Sequence, residues 1–317
     1  MKKRYLIAGF SGLATAAVIT KLLSRPRDVD LEQSRDRIYH VEHSRIAEVN
    51  GLRVHYQEAG DPDAPPVLLI HGFLSSTFVW SRVFLELAAA GFRVIAPDLI
   101  GYGYSDKPKN FDYTIESQAK VIAGLIERLK CKGAILIGSS YGGAIAATVA
   151  LNRPWLVTKL VMVGAVSNNE PKRYLMMRLV RTPLLGDVVS PLLASSRRLL
   201  RARMKRIYDR HQQVLDEFRV DARFLPLRAA GTHRAIIRTV RNWDANRIQR
   251  DAHLIKQPTL LLWGDNDPDV PLRDGEELQR KISNSRLIVF KNCGHHPQEE
   301  YPEAFTEAVL EFCGEPV

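Results

Sequence analysis

The stretch Ile135-Leu136-Ile137-Gly138-Ser139-Ser140-Tyr141-Gly142-Gly143 decides the fold. A β-branched apolar run ends abruptly in Gly-x-Ser-x-Gly. A small-residue helical pattern follows at once: Ala144, Ile145, Ala146, Ala147, Val149, Ala150, Leu151. This reads as strand, sharp turn, helix, with Ser140 at the apex. Such a turn strains its central residue and brings neighbouring backbone close, so small residues are needed two positions to either side, where Gly138 and Gly142 stand. The Ser140 hydroxyl is thereby pushed clear of the sheet, beside a helix N-terminus whose free N–H groups favour developing negative charge. A glycine-rich turn without chemistry has a similar local pattern, so the decision rests on the remaining chain.

Outward from this stretch, strands and helices alternate. Asn50-Gly51 between two alternating runs, Arg45–Asn50 and Leu52–Ala59, marks a hairpin. Val67-Leu68-Leu69-Ile70 is a short buried strand that ends in His71-Gly72-Phe73-Leu74. An amphipathic helix is expected over Trp80–Ala90 and a buried strand over Phe92–Pro97. Thr114 caps a helix running to Leu129, with Ile115, Ala119, Ile122, Leu125 and Ile126 on one face. Val157–Val163, Pro258–Gly264 and Leu287–Phe290 are further strands, and Arg273–Ile282 and Pro302–Phe312 further helices. Buried strands separated by helices imply a mostly parallel sheet covered on both faces.

From about Asn168 to Arg250 the strand signals stop. Leu199, Leu200, Met204 and Ile207 recur at helical spacing, with Arg197, Arg201 and Lys205 opposite, so this segment reads as an inserted helical cap. It holds 19 Lys and Arg against 7 Asp and Glu, a surplus of 12 in a chain of net charge +10, so the basic character is local. A solvated helix face is the first reading of that charge and contact with anionic lipid headgroups the second. Nucleic-acid binding finds no recognisable motif or interleaved aromatics.

The 317 residues therefore divide into four parts: 1–24, 25–45 as a linker, a core made of 46–167 and 251–317, and the cap 168–250. Lys2, Lys3 and Arg4 precede an apolar run from Tyr5 to Leu23, about long enough to cross a bilayer as a helix. A single N-terminal membrane anchor in contact with lipid is the expectation here. The alternatives are a cleaved signal at Ala14-Thr15-Ala16, which would make the protein secreted or periplasmic, and an interfacial tail. Cys131, Cys293 and Cys313 form no CxxC pair, which argues against a disulfide framework or a zinc site.

A serine hydroxyl needs a base within hydrogen-bond reach, itself oriented by a carboxylate. Ligands of a parallel sheet collect beyond the carboxyl ends of its strands. Two loops in that position carry candidates: Gly264-Asp265-Asn266-Asp267-Pro268-Asp269 and Lys291-Asn292-Cys293-Gly294-His295-His296. Residues alone leave Asp265, Asp267 and Asp269 open as the acid, and His295 and His296 as the base. His71 is a further histidine near the same sheet edge. A metal pair of His296 with Glu299 or Glu300 lacks a third ligand at suitable spacing.

Together, His71-Gly72, Asp98-x-x-Gly-x-Gly-x-Ser105, the Ser140 turn, Trp263-Gly264-x-x-Asp267 and Gly294-His295 resemble the α/β-hydrolase superfamily, in its capped esterase, lipase and C–C hydrolase branch. The resemblance spans roughly residues 46–312 apart from the cap. It implies an α/β-hydrolase fold with Ser140 as nucleophile, Asp267 as acid and His295 as base. The backbone N–H groups of Phe73 and Tyr141 would form the oxyanion hole, with His71 bracing the loop. Asp98, Gly101, Gly103 and Ser105 would stabilise a turn.

The resemblance further implies a hydrolase without cofactor or metal. Serine at the nucleophile position disfavours the dehalogenase and epoxide hydrolase chemistry of relatives that carry aspartate there. His71-Gly72-Phe73 differs from the Gly-Gly-Gly loop of one lipase group and from the Gly-Pro-Gly-like loop of many meta-cleavage hydrolases. The expected reaction is hydrolysis of a small-molecule carboxylic ester, monoacylglycerol-like or medium-chain, through an acyl-enzyme. Phe78, Trp80, Met176 and Met177 would line the pocket with Phe73 and Tyr141. C–C bond hydrolysis and cofactor-free perhydrolysis use the same groups and are the alternatives. A non-catalytic binding protein on the same fold is the reading from another class.

Overall fold

The computed structural model describes residues 38–170, 174–208, 211 and 214–315. Among the described residues eight strands form one sheet: β1 (Ser44–Val49), β2 (Leu52–Ala59), β3 (Pro66–Ile70), β4 (Arg93–Pro97), β5 (Ala134–Ser139), β6 (Val157–Val163), β7 (Thr259–Gly264) and β8 (Ser285–Phe290). Their spatial order is β1-β2-β4-β3-β5-β6-β7-β8. β2 runs antiparallel to both of its neighbours, β1 and β4, and is joined to β1 by the Asn50-Gly51 turn, where both residues take positive φ. From β4 to β8 all pairings are parallel.

Alternation along the central strands divides the core in two. Leu68, Ile70 and Leu136 pack on one face, Val67, Leu69, Ile135 and Ile137 on the other, and none of the β3 side chains from Val67 to Ile70 reaches solvent. The first face is covered by α2 (Ile115–Arg128) and α3 (Tyr141–Asn152), through residues such as Ile122, Leu125 and Ala144. Thr114 caps α2, its hydroxyl accepting from the Ser117 N–H at 3.1 Å. The second face is covered by α1 (Phe84–Ala89) and α12 (Pro302–Gly314), through Phe84, Leu87, Phe305 and Val309. The helix expected over Trp80–Ala90 is shorter. Thr77–Trp80 forms a 3₁₀ turn capped by Ser76, and the α-helical part begins only at Phe84.

Between β6 and β7 the described residues contain helices and no strand: α4 (Leu175–Arg181), α5 (Leu185–Ser195), α6 (Arg197–Ile207), α7 (Glu217–Leu227), α8 (Thr232–Arg241) and α9 (Asn246–Asp251). Leu200, Met204 and Ile207 of α6 are buried, whereas Leu199 is half exposed. Arg197 and Arg201 do not simply face water, since both pair with Glu217 of α7. The remaining helices are α10 (Leu272–Lys281) and a single turn, α11 (Pro297–Glu300).

The membrane expectation is corrected here. The segment to which it was assigned, residues 1–24, lies outside the described residues, and among the described residues no helix is long and apolar enough to cross a membrane. The mostly apolar α3 has 12 residues, about 18 Å at 1.5 Å per residue. Its apolar surface is spent against the sheet. Membrane attachment, and the lipid partner and location drawn from it, are withdrawn.

Candidate active site

Ser140 follows β5 directly and sits at φ 55°, ψ −119°, outside the regions open to most side chains. That strain is held by backbone on both sides. The Ser140 N–H donates to Val163 O at 2.8 Å, and its carbonyl accepts from the N–H groups of Gly143 and Val166 at 3.0 and 3.1 Å. The flanking glycines have a steric reason. A Cβ on Gly138 would lie 2.3 Å from Gly142 O, and one on Gly142 would lie 2.2 Å from Ile70 O. Tyr141 opens α3, so its N–H has no acceptor within the helix.

Asp267 and His295 come from the loops after β7 and β8. His295 Nδ1 lies 2.6 Å from Asp267 Oδ2, and both side chains are almost wholly buried. The other carboxylate oxygen, Oδ1, accepts from the N–H groups of Asp269 and Val270 at 2.8 and 2.9 Å, which orients the group toward the histidine. Burial opposes the imidazolium, yet the Asp267 charge and hydrogen bond hold the His295 pKa above the ordinary value. His295 and Ser140 open onto the same cavity, of about 670 Å³.

The rival residues are otherwise engaged. Asp269 pairs with Arg203 and Arg206 of α6 at 3.7 and 2.5 Å, and is therefore an ion-paired group and no solvated loop charge. Asp265 faces Lys291 at 3.8 Å. Burial, with the neighbouring positive charges, pushes the His296 pKa well down, and its Nδ1 lies 3.3 Å from Gln298 Nε2. Ser139, the neighbouring serine that would be the nucleophile only if the glycine spacing were shifted, is fully buried and lies 3.4 Å from the same amide. Among the described residues no group of three His, Cys, Asp or Glu is arranged to hold a metal.

His71 spans the loop that carries Phe73. Its Nδ1 lies 2.8 Å from Gly72 O, and its Nε2 accepts from the Leu99 N–H at 3.0 Å, which defines an Nδ1–H tautomer. Burial keeps this imidazole's pKa below the ordinary value despite nearby Asp98. Asp98 anchors the adjoining turn, accepting from Thr77 and Tyr104 N–H and from the His55 ring at 2.7 to 2.9 Å. Burial works against its charge, but the His55 hydrogen bond and these others bring its pKa to about 2.

The predicted pocket residues part company. Met176 and Met177 of α4 line the cavity together with Phe73. Phe78 and Trp80 do not. Trp80 is fully buried and packs against Phe305 beneath the sheet, and Phe78 is covered by the guanidinium groups of Arg219 and Arg223. Nor does Tyr141 line the cavity, since its ring is buried against Trp243, 4.9 Å away. Sequence reasoning missed Trp243, Tyr208, Arg203, Arg206 and Arg223, all of which line the cavity. The arginines were visible only as part of a charge surplus. Arg223 is nevertheless buried, bonds Glu299 through Nη2, and leaves Nη1 buried without a hydrogen-bond partner.

This fold and this arrangement define a class. Residues 65–302 match the model of the alpha/beta hydrolase fold, and the chain belongs to that family. It is 28% identical over 264 residues to the uncharacterized hydrolase YugF of Bacillus subtilis, covering 83% of this chain and 95% of the relative. It is 31% identical over 292 residues to a 2-hydroxy-6-oxononadienedioate/2-hydroxy-6-oxononatrienedioate hydrolase of Burkholderia vietnamiensis, covering 87% and 98%. Among solved structures, a meta-cleavage product hydrolase from Pseudomonas fluorescens superposes with a TM-score of 0.72 at 25% identity, covering 86% of this chain and 98% of that one.

Proposed function

We propose that the protein is a serine hydrolase that cleaves a C–C bond beside a ketone in an acyclic, carboxylate-bearing substrate. The observation that carries this reading is the composition of the cavity. Its walls are largely apolar, yet Ser140 and His295 share it with Arg203, Arg206 and Arg223, the last with an N–H still unpartnered. A buried N–H of this kind is costly unless a ligand acceptor meets it. The dienedioate hydrolases among the relatives, similar over nearly their full length, act on substrates of that description by name.

In this mechanism His295 Nε2 takes the Ser140 proton as Oγ attacks the ketone, while Asp267 holds the ring and balances the imidazolium. The oxyanion is met by the N–H groups of Phe73 and Tyr141. Collapse breaks the C–C bond; the imidazolium protonates the departing carbon and the acyl group stays on Ser140. Water, deprotonated by His295, then releases it as a carboxylic acid.

Ester hydrolysis through the same acyl-enzyme is the second reading. It is favoured by Met176, Met177, Leu199 and Leu200, which give the cavity room for an aliphatic acyl chain.

The test is to offer the purified protein a 2-hydroxy-6-oxo-dienoate and a p-nitrophenyl ester series, with a fluorophosphonate probe and Ser140→Ala alongside. The reading expects probe labelling that Ser140→Ala abolishes, and a kcat/KM for the ketone above that for every ester. Higher kcat/KM on esters would hand the site to the second reading. No labelling of folded wild-type protein would overturn both.

A further inference from the structure

The segment from His295 to Glu300, carried by the sheet domain, is also bonded to the cap at several points. The His295 N–H donates to the carbonyl of Ile207, the last residue of α6, at 3.0 Å. Glu300 straddles the histidine, its carboxylate accepting from the N–H groups of Gly294 and His296 at 3.0 and 3.2 Å, with the His211 ring 3.2 Å away. Glu299 points the other way. Its fully buried carboxylate accepts from the Tyr208 hydroxyl at 2.7 Å and from Arg223, and lies 3.7 Å from Arg219. Its carbonyl accepts from Arg82 of the core at 2.8 Å.

The opposite loop shows the same dependence. Asp269, two residues beyond Asp267, is gripped by Arg203 and Arg206, one turn and less before Ile207 on the same helix. A single face of α6 thus touches the loop of Asp267 and the loop of His295. The approach is close: a Cβ on Gly294 would lie 1.9 Å from Ile207 O.

We propose that Glu299 is a positioning residue, which clasps the cap to the His295 loop and so keeps His295 aligned with Asp267 and Ser140 while the cap is seated. The inference rests on the reading of His295 as the base. Glu299 does not face the reacting atoms. It acts through Tyr208 and Arg223, which line the cavity, and through the single turn α11 that joins it to His295. A side chain that meets substrate is in this way tied to the one that moves the proton. Misplacement of a catalytic group by about 1 Å costs up to roughly a hundredfold in rate, so a small slackening of the clasp is measurable.

The experiment compares wild-type protein with Tyr208→Phe, Glu299→Gln and His295→Ala. It measures the rate of fluorophosphonate labelling, the melting temperature, and the downfield proton signal of the His295–Asp267 hydrogen bond. Tyr208→Phe removes one hydroxyl and leaves the Arg223–Glu299 pair in place. It is expected to label roughly tenfold more slowly, with a weakened downfield signal and a melting temperature within a few degrees of wild type. Glu299→Gln should slow labelling further. If Glu299→Gln does not fold, Tyr208→Phe decides. Wild-type labelling and an unchanged downfield signal in folded Tyr208→Phe, with labelling still lost in His295→Ala, would overturn the clasp alone. Labelling that survives His295→Ala would overturn the assignment of the base and the clasp with it.

Discussion

His295 Nδ1 stands 2.6 Å from Asp267 Oδ2, although the two residues belong to different loops, and neither side chain has appreciable contact with water. In this dry site Oδ2 faces the histidine while Oδ1 is held by the N–H groups of Asp269 and Val270. The pair therefore carries a distinct pH signature.

The pKa of His295 lies above 6.5 because the attraction of Asp267 outweighs burial. In the proposed mechanism His295 is the base and must be neutral, so kcat/KM should rise with pH through an acidic limb above 6.5 and level off. For stability the sign is opposite. The pair's contribution is complete below 6.5 and is lost as pH rises through the folded-state pKa. Asp267→Asn should cost about a thousandfold or more in kcat and shift the acidic limb downward. A limb that does not move would exclude this assignment.

Asp98 makes the converse prediction. Its folded pKa of about 2 lies below the ordinary 3.8, a gap of roughly 2 kcal/mol. This stability is present above pH 3.8 and disappears as pH falls through about 2. Asp98→Asn should lower the unfolding free energy near neutral pH by at least that much and flatten its dependence in acid. Chemical denaturation at several pH values measures both.

Gly142→Ala should be severely destabilising, because the added Cβ would lie 2.2 Å from backbone that cannot yield. A loss of about 3 kcal/mol or more is expected from overpacking at this level. Labelling of Ser140 should fail in step with the fold, as circular dichroism and probe labelling on one sample would reveal.

His71→Ala should lower kcat by roughly ten- to a hundredfold with little change in KM, since the ring braces the loop that in the proposed mechanism presents the Phe73 N–H to the oxyanion. Steady-state kinetics on any accepted substrate makes the check. A change confined to KM would argue for a role in binding.

Trp80 and Met177 separate packing from recognition. Trp80→Ala empties a fully buried site beneath the sheet and should cost about 3–5 kcal/mol of stability. Met177→Ala, at the cavity wall, should alter the preference among substrates of different chain length and leave kcat on short ones near wild type. Melting curves and a substrate series on both variants distinguish the two roles.

Much of this molecule was legible without coordinates. The strand, turn and helix around Ser140 follow from local periodicity and turn chemistry, as do the hairpin at Asn50-Gly51 and the cap of α2 at Thr114. The loops that carry Asp267 and His295 each follow a strand, and strands of a parallel sheet end at one edge, so the order of elements already placed both loops beside the Ser140 turn, while the pairing of Asp267 with His295 is seen only in the structure.

Other features were decided only in three dimensions. A helical or aromatic pattern says that a face is apolar and not what it faces, so Trp80 went to the core while Trp243 reached the cavity. Charge behaves the same way. The cap arginines resemble a solvated face until folding brings Glu299, 76 positions away, against Arg223 and excludes water from both. Partners so distant in the chain leave no local signal, because contact between them is set by how the cap seats on the sheet.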